Sequence, residues 1–225
     1  MSQMMKPKIE PELTYVKGFI EPKQAKIIID HLETLDFEFS THYMYGKTSS
    51  SSVGYSWHSD TGLGYVFGKT MLKPLKAKPF DDFLGCIRDY VEGTTGRKFN
   101  SVLVNKYKDG NTNLSYHHDN DPWLGENFIV PSLSFGAKRK FIVKQKSNIV
   151  KEGEKPIKKE YILESGSMVI MGESLQKFWV HGIPKQSKSL EDPKKKTGIR
   201  FNLTFRNVIP ELVKKMPKLS KGPSA

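Results

Sequence analysis

Cysteine is all but missing from this sequence. Cys86 is the only one in 225 residues, so no internal disulfide can form and a reducing compartment is expected. Long apolar runs are missing too. None approaches the ~18 residues needed to cross a bilayer, and the opening Met1-Ser-Gln-Met-Met-Lys-Pro-Lys8 has no apolar stretch of a secretory leader. Acid is in short supply: 24 Asp+Glu stand against 36 Lys+Arg, a formal net charge of +12. That excess draws anionic partners such as nucleic acid, and on charge alone an acidic membrane surface is attracted equally. What is present suffices for a core. Hydrophobic residues at 37%, with 11% aromatic, exclude wholesale disorder, and the length suits one large domain or one and a half.

Residues 1–14 are polar, carry Pro7 and Pro11, and read as a loose arm. The helical spacing of Ala25, Ile28, Ile29 and Leu32 predicts a helix over Pro22–Leu35. Tyr43–Ser59, with the serine run Ser49–Ser52, reads as strands around an exposed turn. Phe80, Phe83, Leu84, Ile87 and Val91 predict a second helix over Phe80–Val91, with Gly93 near its end. After Gly96 the texture changes to short alternating runs broken by turn residues. Strands are expected at Ser101–Tyr107, Val130–Phe135, Lys140–Lys144, Tyr161–Leu163, Ser167–Met171, Phe178–His181 and Arg200–Arg206. This is the pattern of a β-sandwich or jelly roll with helices ahead of it. Lysine-bearing loops at 146–159 and 185–196 interrupt it, and a basic tail follows Pro210.

In Arg200-Phe-Asn-Leu-Thr-Phe-Arg206 the polar Arg200, Asn202, Thr204 and Arg206 share one face, and Phe201, Leu203 and Phe205 the other. The polar face can lie in water. Alternatively it lines a barrel, where two arginines require an anionic guest, because unpaired buried guanidinium groups cost several kcal/mol (roughly). A dicarboxylate satisfies both. His117-His-Asp119 sets an imidazole and a carboxylate on one side of an extended chain, matching two facial positions on a metal. His181 is the best third ligand, while His31, His42 and His58 read as ordinary surface or capping histidines. Asn105 and Tyr107 face inward with Leu103, and Val102 and Val104 face the helices.

Taken in order, Asn-x-Tyr, His-x-Asp, a distant His and Arg-x-Asn-x-Thr-x-Arg resemble the AlkB family of Fe(II)- and 2-oxoglutarate-dependent nucleic-acid dealkylating dioxygenases, nearest its duplex-DNA-repair branch. The resemblance covers roughly residues 40–206, through Leu63-Gly-Tyr-Val-Phe67, Asn105-Lys-Tyr-Lys-Asp-Gly110, Ser132-Leu-Ser-Phe-Gly-Ala-Lys-Arg139, Gly166-Ser-Met168 and Arg200–Arg206. It implies an α+β fold, a double-stranded β-helix (jelly roll) with N-terminal helices and a nucleotide-recognition lid. The implied division is an arm, helices and lid over 1–98, a dioxygenase jelly roll over 99–210 and a basic tail over 211–225.

By the same resemblance, His117, Asp119 and His181 bind Fe(II), and Arg200 pairs with the distal carboxylate of 2-oxoglutarate. Asn105, Tyr107, Asn202, Thr204 and Arg206 complete that pocket, and O2 is the second co-substrate. The implied reaction is oxidative demethylation of bases such as N1-methyladenine and N3-methylcytosine, releasing succinate, CO2 and formaldehyde. Substrate contacts are implied at Tyr65, Val66 and Phe67 in the lid, with Phe67 stacking on a flipped base opposite His117. They are also implied at Tyr45, Gly46 and Lys47 in a finger hairpin, at Asp121 beside the base, and at Arg139. The sequence departs from the family at two of these places: Tyr45 stands where phenylalanine is expected, and Pro122 where a second acid often follows. The expected partner is alkylated DNA, duplex for preference, with RNA or a single strand as the alternative. Further expectations are a monomer, no membrane partner, and a nuclear location in a eukaryote or a cytoplasmic one otherwise. A binding module on an inactive dioxygenase fold, and a protein hydroxylase, are the competing readings.

Overall fold

A computed structural model describes residues 10–66, 71–151 and 153–215. In chain order the first half holds β1 (Leu13–Val16), α1 (Pro22–Glu33), β2 (Thr41–Met44), β3 (Lys47–Ser50), β4 (Gly54–Ser59), β5 (Ala77–Lys78), α2 (Asp82–Thr95), β6 (Ser101–Tyr107) and β7 (Leu114–His117). The second half holds β8 (Ile129–Gly136), β9 (Arg139–Gln145), β10 (Lys158–Leu163), β11 (Ser167–Gly172), α3 (Glu173–Phe178), β12 (Trp179–Ile183) and β13 (Arg200–Arg206). Seven strands form the larger sheet in the order β1-β11-β8-β13-β6-β4-β5, four form a smaller sheet in the order β10-β9-β12-β7, and β2 and β3 stand apart as a hairpin. Strands distant in sequence lie side by side, as in a double-stranded β-helix.

Side-chain alternation decides what each face of the larger sheet covers. On β13, Phe201, Leu203 and Phe205 join Val102 and Val104 of β6 in a core shared with Ala25, Ile28 and Leu32 of α1 and Leu84, Ile87 and Val91 of α2. The opposite face turns toward the smaller sheet and a second core containing Leu103, Tyr107, Val143 and Trp179. Arg200, Asn202, Thr204 and Arg206 lie on that inner face, buried to 7% exposure or less. Of the two readings the alternation allowed, the barrel interior is the one realised.

The helices are set by local chemistry. Asp81 caps α2 by accepting from the Leu84 N–H at 2.7 Å. The helix runs past Gly93 to Thr95 and ends where Gly96 takes φ +65°, a left-handed conformation that glycine adopts without cost.

Several expectations need correction. The stretch read as a loose arm is held from Glu10 onward: β1 pairs with β11, and Glu12 accepts from the Ser174 N–H at 3.1 Å. Strand β7 was not expected, and α3 occupies the segment just before β12, where Phe178 was assigned to a strand. His58 is buried, not on the surface, and its Nδ1 donates to the Pro79 carbonyl at 2.8 Å. Phe67 and the tail lysines 218 and 221 fall outside the described residues. No helix among the described residues is long and apolar enough to cross a membrane.

Candidate metal centre and co-substrate pocket

The smaller sheet brings the two histidines together, because His181 of β12 is the register partner of His117 of β7. Asp119 follows in the loop after β7. Ligand atoms of His117, Asp119 and His181 all lie within 4.8 Å of one another, and His181 Nε2 is 3.5 Å from Asp119 Oδ2. His117 Nδ1 lies 2.9 Å from the Ser115 carbonyl oxygen. A carbonyl can only accept, so Nδ1 carries the proton and Nε2 keeps its lone pair. Burial, reinforced by His181, pushes the His117 imidazole down to about 4, so it is neutral at ordinary pH. For Asp119, burial works to raise the carboxyl, but Arg206 and the two histidines outweigh it and hold the group well below the usual range.

Arg206 donates to Asp119 Oδ1 at 2.9 Å and to the Thr204 carbonyl at 3.2 Å, and its guanidinium lies 5.3 Å from the Tyr65 ring centroid. Its contacts are thus with Asp119 and Tyr65, at the opposite end of β13 from Arg200. Tyr65 is buried, stacked on Trp57 at 4.5 Å, and donates from its hydroxyl to Asp121 Oδ2 at 3.0 Å. Burial lifts the Asp121 carboxyl to about 7, with Arg206 opposing and Asp119 reinforcing the rise.

At the other end of β13, Arg200 donates to Ser134 Oγ at 2.9 Å and lies 4.9 Å from the Tyr107 ring centroid. Its Nε and Nη1, with Asn105 Oδ1 and the Tyr107 hydroxyl, are buried without partners. Asn202 donates to Ser132 Oγ and the Leu133 carbonyl, both at 2.8 Å, and accepts from Asn105 and Thr204, both at 3.2 Å. These four polar side chains therefore form one network facing into the barrel.

Arg139, expected near the substrate pocket, is fully buried near Tyr107, where its two Nη groups donate to the carbonyls of Asp109, Thr112 and Pro184. Tyr45, Gly46 and Lys47 sit in the β2–β3 hairpin, where Tyr45 is 91% exposed. Val66 is buried in the core beside Tyr65. Sequence reasoning gave no role to Ser132 and Ser134, although both stand in a quoted motif and point inward with β13. It also missed Gln176, whose Oε1 accepts from the Asp119 N–H at 2.8 Å.

The family model described as the 2OG-Fe(II) oxygenase superfamily matches residues 12–206. The chain belongs to that family. Within it, the chain falls in the AlkB family. It is 33% identical to human "DNA oxidative demethylase ALKBH2" over 187 residues, 77% of this chain and 67% of that protein. It is 29% identical to human "Alpha-ketoglutarate-dependent dioxygenase alkB homolog 3" over 197 residues, 86% of this chain and 65% of that protein. The chain thus spans about two thirds of the length of these relatives. The solved structure of OsALKBH1 superposes with a TM-score of 0.57 at 21% identity, covering 89% of this chain and all of that one, and so shares the fold.

The residues present fit the groups this oxygenase family uses. Two imidazoles and a carboxylate converge as a facial metal set would require. Among the described residues, no carboxylate lies within ion-pairing distance of Arg200. An unpaired buried guanidinium is costly, and its free donors suit the carboxylate of 2-oxoglutarate.

Proposed function

We propose that this dioxygenase demethylates N-alkylated bases in DNA, the class represented by N1-methyladenine and N3-methylcytosine, as direct-reversal repair. The observation that carries the reading is the neighbourhood of the metal cluster. Arg206 joins Asp119 to Tyr65, and Tyr65 is hydrogen-bonded to Asp121. An acid therefore stands beside the reactive centre, able to pair with a cationic methylated ring. The name of the human relative ALKBH2, a DNA oxidative demethylase, supports the same substrate class.

When bound, iron and 2-oxoglutarate supply the oxidising chemistry, in which O2 is consumed, succinate and CO2 are formed and the alkyl carbon is hydroxylated and lost as formaldehyde. The chain's own residues bind and orient. His117 Nε2, Asp119 and His181 would hold the iron, and Arg200 the distal carboxylate in fork geometry, with Asn105, Tyr107, Asn202 and Thr204 fixing the rest of the pocket. Arg206, paired with Asp119, completes that pocket at its metal end. Asp121 would be held ionised by a cationic base, because a nearby positive charge lowers a carboxyl pKa. Tyr65 orients that carboxylate through its hydroxyl, Val66 packs behind it, and Phe67 is assigned the stacking contact with the flipped base. Residues 1–98 thus supply the arm, helices and lid, 99–210 the catalytic jelly roll, and 211–225 a basic tail. The chain works as a monomer, in the nucleus if eukaryotic.

Duplex DNA is the proposed form of the substrate because of the finger hairpin. Tyr45 stands 91% exposed at its tip, in a two-residue turn with Gly46 where both residues have positive φ, 52° and 74°. An exposed aromatic at a hairpin tip can fill the gap that a flipped base leaves in the stack, a contact worth about 1–3 kcal/mol.

The test is release of succinate and formaldehyde from methylated duplex and single-stranded oligonucleotides, with wild type and Tyr45→Ala. Wild type should favour the duplex, and the variant should lose duplex turnover about ten-fold while keeping single-strand turnover. A wild-type preference for single-stranded RNA would move the substrate to RNA. Absence of turnover, with metal and 2-oxoglutarate bound, would make the chain a binding module.

A further inference from the structure

Asp119 occupies an unusual position for a residue that must present a carboxylate in one direction. It lies past the end of β7, so no strand ladder holds its backbone. Its N–H is held instead by a side chain 57 residues away: Gln176 Oε1 accepts from it at 2.8 Å. Gln176 is fully buried on α3, as are Leu175 beside it and Trp179 just after the helix. Lys146 fastens that turn of helix by donating to the carbonyls of Gln176 at 3.0 Å and Lys177 at 2.8 Å.

The hydrogen bond that the carboxamide makes is to the Asp119 main chain. With Oε1 engaged, Gln176 Nε2 is a buried donor without a partner. Leaving such a group unpaired costs about 1–3 kcal/mol; a leucine or methionine would remove that cost but leave the buried Asp119 N–H without its acceptor, a cost of the same size. Fold stability alone therefore favours neither residue. What the amide does provide is a fixed point for Asp119, whose Oδ1 is taken by Arg206, leaving Oδ2 turned toward His181 Nε2.

We propose that Gln176 is a positioning residue of the metal centre: by accepting from the Asp119 N–H, it sets the direction in which that carboxylate is presented to the metal. The inference rests on the assignment of His117, Asp119 and His181 as ligands. Residues that orient metal ligands typically contribute 10–100-fold in affinity, and Gln176 acts through main chain where such partners more often act on the ligand's side chain.

The experiment titrates Mn(II) into the metal-free protein in the presence of 2-oxoglutarate and follows the electron paramagnetic resonance signal of free Mn(II). Gln176→Leu and Gln176→Met should bind Mn(II) about ten-fold or more weakly while their metal-free melting temperatures change little, since one unpaired buried donor replaces another. Gln176→Glu retains an acceptor for the Asp119 N–H and should remain within about three-fold of wild type. Asp119→Ala is the control for the ligand assignment and should lose binding altogether. Wild-type affinity in the Leu and Met variants, with binding lost in Asp119→Ala, overturns the role of Gln176 alone. Equal losses in the Glu, Leu and Met variants overturn it as well, since the acceptor would then not be what matters. Wild-type affinity in Asp119→Ala would instead remove the metal assignment underneath.

Discussion

At the scale of single residues, the chemistry is concentrated on the inner face of β13. Arg200 and Arg206 read alike in the sequence, as two arginines on one polar face, yet the fold separates their tasks. Arg200 keeps unpartnered donors in a buried pocket, whereas Arg206 is already paired with Asp119. Arg200→Lys should therefore weaken 2-oxoglutarate binding by about 10-fold or more, since a lysine cannot reproduce the two-pronged contact. Calorimetric titration of 2-oxoglutarate into the Mn(II)-loaded variant would read the loss, and an unchanged affinity would exclude Arg200 from the pocket. Asp121 yields a prediction with a definite sign. Its folded pKa of about 7 lies above its ordinary value of 3.8, so the folded state holds the extra proton between those limits. Wild type then loses stability as pH rises from about 4 to 7 through this group, and the full penalty is present above 7. Asp121→Asn removes the group and keeps an acceptor for the Tyr65 hydroxyl. The metal-free variant should melt higher than wild type at pH 8, with the advantage disappearing toward pH 4. A stability gain independent of pH would contradict the burial argument.

At the scale of elements, what could be read in advance followed periodicity. β6 and β13 match the sequence reading to the residue because strict alternation of polar and apolar side chains leaves one arrangement with both faces satisfied. The two long helices were legible for the same reason, although α2 extends to a glycine three residues beyond the one expected. The elements that were missed lack a periodic signal. β7 has four residues with only Leu114 apolar on its aliphatic side, α3 is a six-residue helix whose internal pattern is too short to show a period, and β1 is a four-residue edge strand. His117 and Asp119 of the candidate metal cluster were legible as a triplet, but Gln176 was not, because it meets Asp119 through a tertiary contact with main chain. Asp81 shows how an element end can serve two neighbours. It caps α2 and also meets His31 Nε2 of α1 at 3.0 Å. Asp81→Ala should cost about 1 kcal/mol of stability, visible as a lowered urea midpoint, while metal binding stays as in wild type.

At the scale of the whole molecule, the net charge of +12 divides between buried and exposed tasks. The barrel interior uses Arg139, Arg200 and Arg206. On the outside, lysines face one another: Lys144 is opposite Lys158 in the β9–β10 pair, and Lys188 is opposite Lys196 across an isolated bridge. Like charges in such pairs work against folding, and a polyanion would relieve them. Binding of undamaged duplex should accordingly weaken steeply with salt, as counterion release requires. Lys188→Gln combined with Lys196→Gln should flatten the plot of log affinity against log salt by about two units if both lysines contact phosphates. An unchanged slope would place the nucleic acid on another face. Composition alone announced this charge but could not apportion it, since apportioning required knowing which strand faces point inward.

The hairpin tip has a bearing on how this protein would respond to selection. A tyrosine held at φ 52° carries a backbone penalty of about 1 kcal/mol or more that asparagine or glycine would largely avoid, and at 91% exposure its ring returns little to the core. A library screened only for survival of heating should therefore discard Tyr45 early in favour of Asn or Gly. The same library screened for repair of methylated duplex should keep an aromatic there, so the two screens would diverge at this one position before they diverged in the barrel.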